Sequence, residues 1–361
     1  MHLEVLRVDG LRCLREVDLA PAPGFNLLVG PNGSGKTSVL EAIHLLSHGR
    51  SFRSGGHAAL TARGRENYSV YAELVQAGSE RHRIGMAREG EAWRIRMDGE
   101  PVSTLAAVVR RCASVCFEPG SHALISGASA ERRRFLDWGV FHVEHRFLDL
   151  WQRYRRALRQ RNALLRAGGN DAQLEGWEDQ MAAAGESIDR LRQAYCSRLQ
   201  AAIELEVGRL APTLGAVELR FSSGWSGSQE LAAALRDARE RDRQRGHSGI
   251  GPHRADWRLR FEQVIHHEQF SRGQEKLVAL ACVLAQAELY AGDHADRPMV
   301  CLDDLASELD QQHQQRLVQR LLESRGQVWV TGTERPQALS GQEIRMFHVE
   351  HGRVRAAAAA R

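Results

Sequence analysis

An α/β fold built around a phosphate loop and interrupted by a mainly helical lobe is predicted by three features of the 361-residue chain. First, Gly30-Pro31-Asn32-Gly33-Ser34-Gly35-Lys36-Thr37 satisfies G-x-x-x-x-G-K-[ST] between an apolar strand and a helix. Second, the apolar run Met299–Leu302 ends in the paired carboxylates Asp303-Asp304. Third, a long, charged and helically periodic stretch lies between them, from about Ala130 to Gly208.

The elements follow in order from periodicity. Leu3 to Ala20 alternates as two short strands around Asp9-Gly10, and Gly24 to Val29 is a continuous apolar strand. After the Gly-rich loop, Val39, Leu40, Ile43 and Leu46 recur at helical spacing from Lys36 to Leu46. Tyr68–Gln76, Trp93–Met97 (turning at Asp98-Gly99) and Ala113–Phe117 read as strands. In the lobe, Phe147, Leu150, Trp151, Tyr154, Leu158 and Leu165 form one helix face, Gly168-Gly169-Asn170-Asp171 a turn, and Leu174 to Leu210 a second periodic series, which predicts a helical hairpin. Arg236–Arg245 is a charge run, helical or loop. Strand alternation returns over Asp256–Ile265, followed by a helix Gly273–Tyr290, the strand Met299–Leu302, a helix Gln311–Ser324 and a strand Val328–Val330. Ala356–Ala360 is a low-complexity tail. The predicted boundaries are 1–120 for the first part of the α/β fold, 121–250 for the helical lobe and 251–361 for the second part.

Composition narrows the class. With 43% apolar and 26% charged residues the chain has ample core, which excludes disordered and fibrous classes. The longest apolar run, Leu277–Ala285, falls short of the roughly 18 residues a membrane helix needs, and no charged-then-apolar leader opens the chain. The expectation is a cytoplasmic protein without a membrane partner. Six scattered cysteines, with no C-x-x-C pair, read as reduced thiols. Of the 49 basic residues only Lys36 and Lys276 are lysines. Because ammonium is a compact point charge and guanidinium a planar fork, these two positions stand out.

The loop has a direct chemical reading. Its glycines let successive amides turn inward around phosphates, the helix start adds positive charge, Lys36 reaches the β/γ oxygens and the Thr37 hydroxyl ligates Mg²⁺. On the downstream strand, Asp303 would hold Mg²⁺ through water, and Asp304 would polarise the attacking water as catalytic base. Ser271-Arg272-Gly273-Gln274 opens a helix upstream of that strand, and Ser307-Glu308-Leu309-Asp310 follows it.

Phosphate loop, S-x-G-Q helix start, apolar strand with paired acids and Ser-x-Leu-Asp loop resemble, in this order, the ABC-type ATPase head. That resemblance implies a dimer sandwiching two ATPs, in which Ser271, Gly273 and Gln274 of one subunit contact the γ-phosphate bound to the other. From Lys36 to Asp303 is 267 residues, room for an inserted lobe but not for long coiled-coil arms. Within that gap, Gly49-Arg50-Ser51-Phe52-Arg53, Glu131 to Trp138, Leu158 to Leu165, Gly251 to Asp256 and Phe270 to Gln274 resemble the RecF family of bacterial recombination-repair ATPases. The resemblance implies a nucleoid-associated protein of DNA replication, repair, recombination and the SOS response. It would form an ATP-dependent homodimer with weak DNA-stimulated ATPase activity, clamp gapped or junction DNA with single- and double-stranded parts, and work with recombination mediator proteins to place the recombinase. Two positions depart from ABC heads. Asp304 stands where Glu is usual, which predicts slow turnover, and Thr331-Gly332-Thr333 stands where many heads carry a switch His, leaving that role open between the threonines.

DNA contacts are expected on the lobe. Residues 131–166 hold ten Arg against four acidic residues, and Arg153, Arg155, Arg156 and Arg159 lie largely on the polar face of the first lobe helix. Any one of them reads equally as a solvated helix face. Phe-His-Val-Glu-His occurs twice, at Phe141–His145 and Phe347–His351. Its copies sit in different contexts, against a shared metal site, and the codons TTC-CAC-GTG-GAA would make it a DNA-level palindrome. A transporter-type ATPase subunit is the alternative reading; it needs a shorter gap between phosphate loop and signature.

Overall fold

The computed structural model describes residues 1–53, 57–90, 92–226, 229–263 and 270–357. The chain divides into two compact units, one of Met1–Ser121 with Lys276–Arg361 and one of His122–Glu275. In chain order the first unit opens with β1 (His2–Asp9), β2 (Glu16–Leu19), β3 (Phe25–Val29), α1 (Lys36–His48), β4 (Asn67–Val75), β5 (Arg81–Glu89), β6 (Ala92–Met97), β7 (Glu100–Pro101), α2 (Leu105–Arg111) and β8 (Ser114–Phe117). The second unit holds α3 (Ala123–Ser126), α4 (Ser129–Val143), α5 (Phe147–Ala167), α6 (Asp171–Leu210), β9 (Val217–Ser222), α7 (Leu231–Asp237), α8 (Arg239–Arg245) and β10 (Asp256–Phe261). Helix α9 (Arg272–Asp293) carries the chain back, followed by β11 (Met299–Leu302), α10 (Leu305–Glu308), α11 (Gln311–Ser324), β12 (Val328–Gly332), β13 (Ile344–Glu350) and β14 (Arg353–Ala356).

Two six-stranded sheets form the first unit among the described residues. One runs β2-β1-β4-β5-β6-β7 with antiparallel pairings. Its alternating burial follows the sequence alternation, and Asp98-Gly99, with φ of 54° and 93°, makes the turn between β6 and β7 that the dipeptide predicts. The other runs β14-β13-β3-β12-β11-β8, parallel from β13 to β8. β11 and β12 are buried throughout, and β3 nearly so, as strands covered on both faces must be. Helix α1 is buried along almost its whole length, and its Val39, Leu40, Ile43 and Leu46 join Leu6 and Val70 of one sheet and Cys301, Trp329 and Phe347 of the other in a single core. The Gln327 side chain ties the sheets together by imitating a peptide. Its Oε1 accepts from Leu3 N (2.9 Å), and its Nε2 donates to Leu3 O (3.0 Å) and Ala22 O (2.8 Å).

In the second unit α5 and α6 form the predicted hairpin. Gly168 ends α5 at φ 72°, and Asn170 and Gln173 cap α6 reciprocally. Arg161, fully buried on α5, bonds Glu178 (3.0 Å), Asp242 (2.7 Å), Ser248 Oγ (2.7 Å) and Leu235 O (3.1 Å), so its charge is paired and its donors are used. This network settles the 236–245 charge run as helical, because Asp242 must be presented inward from α8.

Several expectations shift. The second unit continues past residue 250 to Glu275, because β10 pairs with β9 and Asp256 is held by Arg132. β10 stops at Phe261, and Ile265, like Ala358–Ala360 of the tail, lies outside the described residues. Of the ten lobe arginines, Arg132 and Arg161 are buried and paired, so they are part of the packing and no part of a surface. The two Phe-His-Val-Glu-His copies fall in different elements, one at the end of α4 and the other along β13.

His253 in this unit accepts from Tyr154 Oη at Nδ1 (2.6 Å) and faces Ser248 O with Nε2 (3.1 Å), the pattern of a neutral ring. Burial lowers its pKa to about 4, and burial lowers that of His44 on α1 to about 3. Between the ordinary value of 6.5 and those values the unfolded chain takes up protons that the folded chain refuses. Stability is therefore expected to fall as pH drops below 6.5, by up to about 1.4 kcal/mol per pH unit for each histidine, and to level off near the folded values. Urea midpoints measured from pH 7 to 4 check this, and His253→Gln should flatten the dependence.

Candidate nucleotide site

Parallel order places the carboxyl ends of β3, β12 and β11 side by side, and every candidate head residue except the S-x-G-Q group lies at that edge. The loop from Gly30 to Gly35 leaves β3 here. Gly30 has no room for a side chain, since a Cβ would stand 2.0 Å from Val349 O, and Gly35 enters α1 at φ 119°, a backbone state that favours glycine. Gly352 N, in the β13–β14 turn, donates to Ser34 O (2.9 Å) and fixes the loop from behind. Ser34 Oγ is buried and has no hydrogen-bond partner among the described residues.

Lys36 is only 7% exposed, with Nζ donating to Gly30 O (2.7 Å) and Pro31 O (3.0 Å). Burial lowers its pKa, against the pull of Asp304 and Asp303. Asp303, 4% exposed at the end of β11, accepts at Oδ1 from Thr37 Oγ1 (2.9 Å) and Thr331 Oγ1 (2.7 Å). Burial raises its pKa, opposed by those two hydroxyls and by the Arg53 charge. Thr331 also accepts from Asp304 N (2.8 Å), so one hydroxyl orients both acids. Asp304 stands at φ 52°, a left-handed conformation that Asp tolerates better than most residues. Thr331 is fully buried and Thr333 exposed, so of the two threonines it is Thr331 that bonds Asp303.

The S-x-G-Q group opens α9 in the second unit. Ser271 Oγ accepts from Gln274 N (3.2 Å), and Gln274 Oε1 accepts from Ser271 N (2.9 Å). The motif is thus a capping box, a role of Ser271 and Gln274 that the sequence reading missed although the Ser-x-x-Gln spacing signals it. Among the described residues, Ser271 Oγ, at 3.9 Å, is the one neighbour that a Cβ on Gly273 would meet. Lys276 lies one turn on, in the first unit, with Nζ 2.9 Å from Glu308 Oε2 in α10. Within the first unit it links α9 to the short helix just after Asp304. Arg53, part of a quoted motif without an assigned role, is a second residue that only the structure connects to Asp303. Arg153, Arg155, Arg156 and Arg159 are exposed on α5, and none forms an ion pair among the described residues.

These residues can do specific chemistry. A hydroxyl and a carboxylate oxygen side by side suit a small hard cation. Lys36, the buried Ser34 hydroxyl and the first-turn amides of α1 make an anion receptor next to it.

Fold and site together define a phosphate-loop ATPase head of the ABC type. The RecF/RecN/SMC N terminal domain family matches residues 2–355. The DNA replication and repair protein RecF of Stenotrophomonas maltophilia is 48% identical over 98% of this chain and 99% of its own, and that of Xanthomonas euvesicatoria pv. vesicatoria is 47% identical over the whole of both. The chain belongs to the RecF family. Among solved structures, the recombination mediator protein RecF-ATP in the RecFOR pathway superposes with a TM-score of 0.90 at 24% identity, over 99% of this chain and 98% of that one. An SmcHead bound to the C-winged helix domain of ScpA gives 0.60 at 13%, over 99% and 97%. At such identities these likenesses show the fold.

Thr331→Val should leave Asp303 with one hydroxyl fewer and Asp304 N without its acceptor; we expect about tenfold weaker binding of fluorescent ATP with Mg²⁺, and a lower melting temperature from a stability cost of about 1–3 kcal/mol. Lys276→Met should cost about 1 kcal/mol in urea unfolding, because Glu308 loses its counter-charge, whereas Lys276→Arg should recover most of that if charge alone matters.

Proposed function

We propose that the protein is an ATP-gated DNA clamp of recombinational repair and replication-fork maintenance. The observation that carries this reading is the convergence of Thr37 and Thr331 on the buried Asp303 beside the Lys36 loop. Gly30, Pro31, Asn32, Gly33, Ser34, Gly35, Lys36 and Thr37 would cradle the phosphates, and Thr37 and Asp303 would hold Mg²⁺. Bound ATP·Mg²⁺ supplies the γ-phosphate whose hydrolysis resets the clamp. Lys36 would exchange its two carbonyl acceptors for phosphate oxygens, and Asp304 would orient the attacking water. Being one methylene shorter than the usual Glu, Asp304 fits slow turnover, with nucleotide binding the main switch.

Ser271, Gly273 and Gln274 would touch the γ-phosphate of a second subunit, so that two copies close only when both hold ATP. The capping box at the start of α9 supports this, since it holds Ser271 and Gln274 in fixed positions on either side of a glycine that adds no side chain. DNA would lie on the arginines of α5, which neutralise phosphates without reading bases. The relatives carry the name DNA replication and repair protein, and the solved relative is described as a mediator with ATP in the RecFOR pathway. The same setting is proposed here, with gapped or junction DNA as substrate and recombination mediators as partners.

Sedimentation and gapped-duplex anisotropy with and without ATP·Mg²⁺ test the clamp. Association and tight DNA binding are expected only with nucleotide and are expected to vanish in Lys36→Arg; nucleotide-independent association and binding would refute it. Asp304→Asn should reduce turnover at least a hundredfold while leaving ATP affinity intact, and unchanged turnover would remove Asp304 as the base.

A further inference from the structure

Two motif stretches that the ATP site leaves unused, Glu131–Asp137 and Gly251–Asp256, are brought together in the second unit. Arg132 chelates Asp256 with Nε and Nη2 (2.7 and 3.1 Å) and gives Nη1 to Gly127 O (2.8 Å). Arg192 of α6 chelates Asp137 in the same way (2.8 and 3.0 Å) and gives Nη1 to Pro252 O (2.7 Å). Both guanidiniums are buried and all their nitrogens are used. The two carboxylates are committed to them, and Asp256 also takes Arg258 (3.2 Å).

Two more arginines in the cluster form no ion pair of their own among the described residues. Arg133 spends Nη1 on Ser129 Oγ and Ala255 O, both at 2.8 Å, while its Nε and Nη2 have no partner among the described residues. Arg254 is exposed and, among the described residues, reaches only His247 Nδ1, at 3.5 Å. Burial first, and then the Arg192 charge, hold the pKa of Arg133 down; Asp256 and Asp137 pull the other way, and Arg254 adds a smaller push down, so the two carboxylates already bound to Arg132 and Arg192 offset the like charges only in part. The start of α4 adds partial positive charge, since Ala128 at its N-cap offers no capping side chain, while Glu131 in its first turn is paired with Arg134.

A rigid inner pair of arginines thus carries an outer pair with open donors. Guanidinium forks match the oxygens of a phosphate. Tyr154, on the buried face of α5, bonds His253 next to Arg254, so the helix that carries the exposed Arg153 and Arg155 packs against the same turn. Positive charge that runs on from a fixed point suits a polyanionic strand better than a single acidic side chain.

We propose that Arg133 and Arg254 form a fixed phosphate clamp that grips a phosphodiester of the bound DNA strand, in line with the α5 arginines. This rests on the DNA-binding reading above. Gapped-duplex anisotropy across a salt series, at saturating ATP·Mg²⁺, tests it with Arg254→Gln, the Arg133→Gln/Arg254→Gln double variant and an Arg155→Gln/Arg156→Gln control. The double variant is expected to bind about tenfold more weakly at physiological salt, with a log–log salt slope shallower by about two, and Arg254→Gln with a slope shallower by about one. ATP-driven association should be that of the wild type in both. Arg254 is exposed, so its single variant decides the matter should the double variant fail to fold. Unchanged affinity and slope in Arg254→Gln, with weakened binding in the α5 control, would overturn the clamp alone. A wild-type protein that binds no DNA at any salt would instead overturn the reading on which it rests.

Discussion

One carboxylate organises the head. Asp303 is drawn out of water at the end of a fully buried strand, where a lone charge would be costly, and it is kept there by hydroxyls from Thr37 and Thr331. Each bond ties a different strand end: Thr37 follows β3 through the phosphate loop, Asp303 ends β11, and Thr331 lies in β12 between them. Thr331 passes the constraint to the Asp304 amide and so to the left-handed backbone at that residue. Loop, candidate cation ligand and candidate base are therefore joined by one set of hydrogen bonds.

Behind that edge the same economy applies to backbone contacts. The β13–β14 turn holds the loop through Gly352, and Gly30 sits so close to Val349 that no other residue fits. The C-terminal hairpin is thus part of the nucleotide site although it contributes no side chain to the phosphate loop. Lys276 extends the set in another direction, joining the first-unit part of α9 to the short helix after Asp304. The second unit uses charge differently. Arg161, Arg132 and Arg192 are buried with carboxylates and carbonyls around them, so they fix how α4, α5, α6 and α8 pack. Their cost of desolvation is offset only because every nitrogen is matched.

Much of the site was legible beforehand because its spacing is local. The phosphate loop lies within eight consecutive residues, and Asp303-Asp304 ends a strand that could only be buried. The arginines were less legible. A charge count over residues 131–166 cannot separate Arg161, which never meets solvent, from Arg155, which is exposed, since both sit in the same periodic helix. Nor does spacing show that Thr331 is inward and Thr333 outward, or that Lys276 meets Glu308. The boundary at residue 250 misplaced β10, because its partner β9 lies more than thirty residues earlier and only pairing reveals it.

By itself, then, the sequence determined the α/β class, the phosphate loop, the strand with paired acids and the helical hairpin, all properties set by periodicity and neighbouring residues. Tertiary structure alone decided which threonine holds Asp303, which lysine is a tether, which arginines are packing and which are left with open donors. Those outcomes depend on groups tens to hundreds of residues apart meeting in a low-dielectric interior, where pairing and burial are settled by the whole chain and by no local pattern.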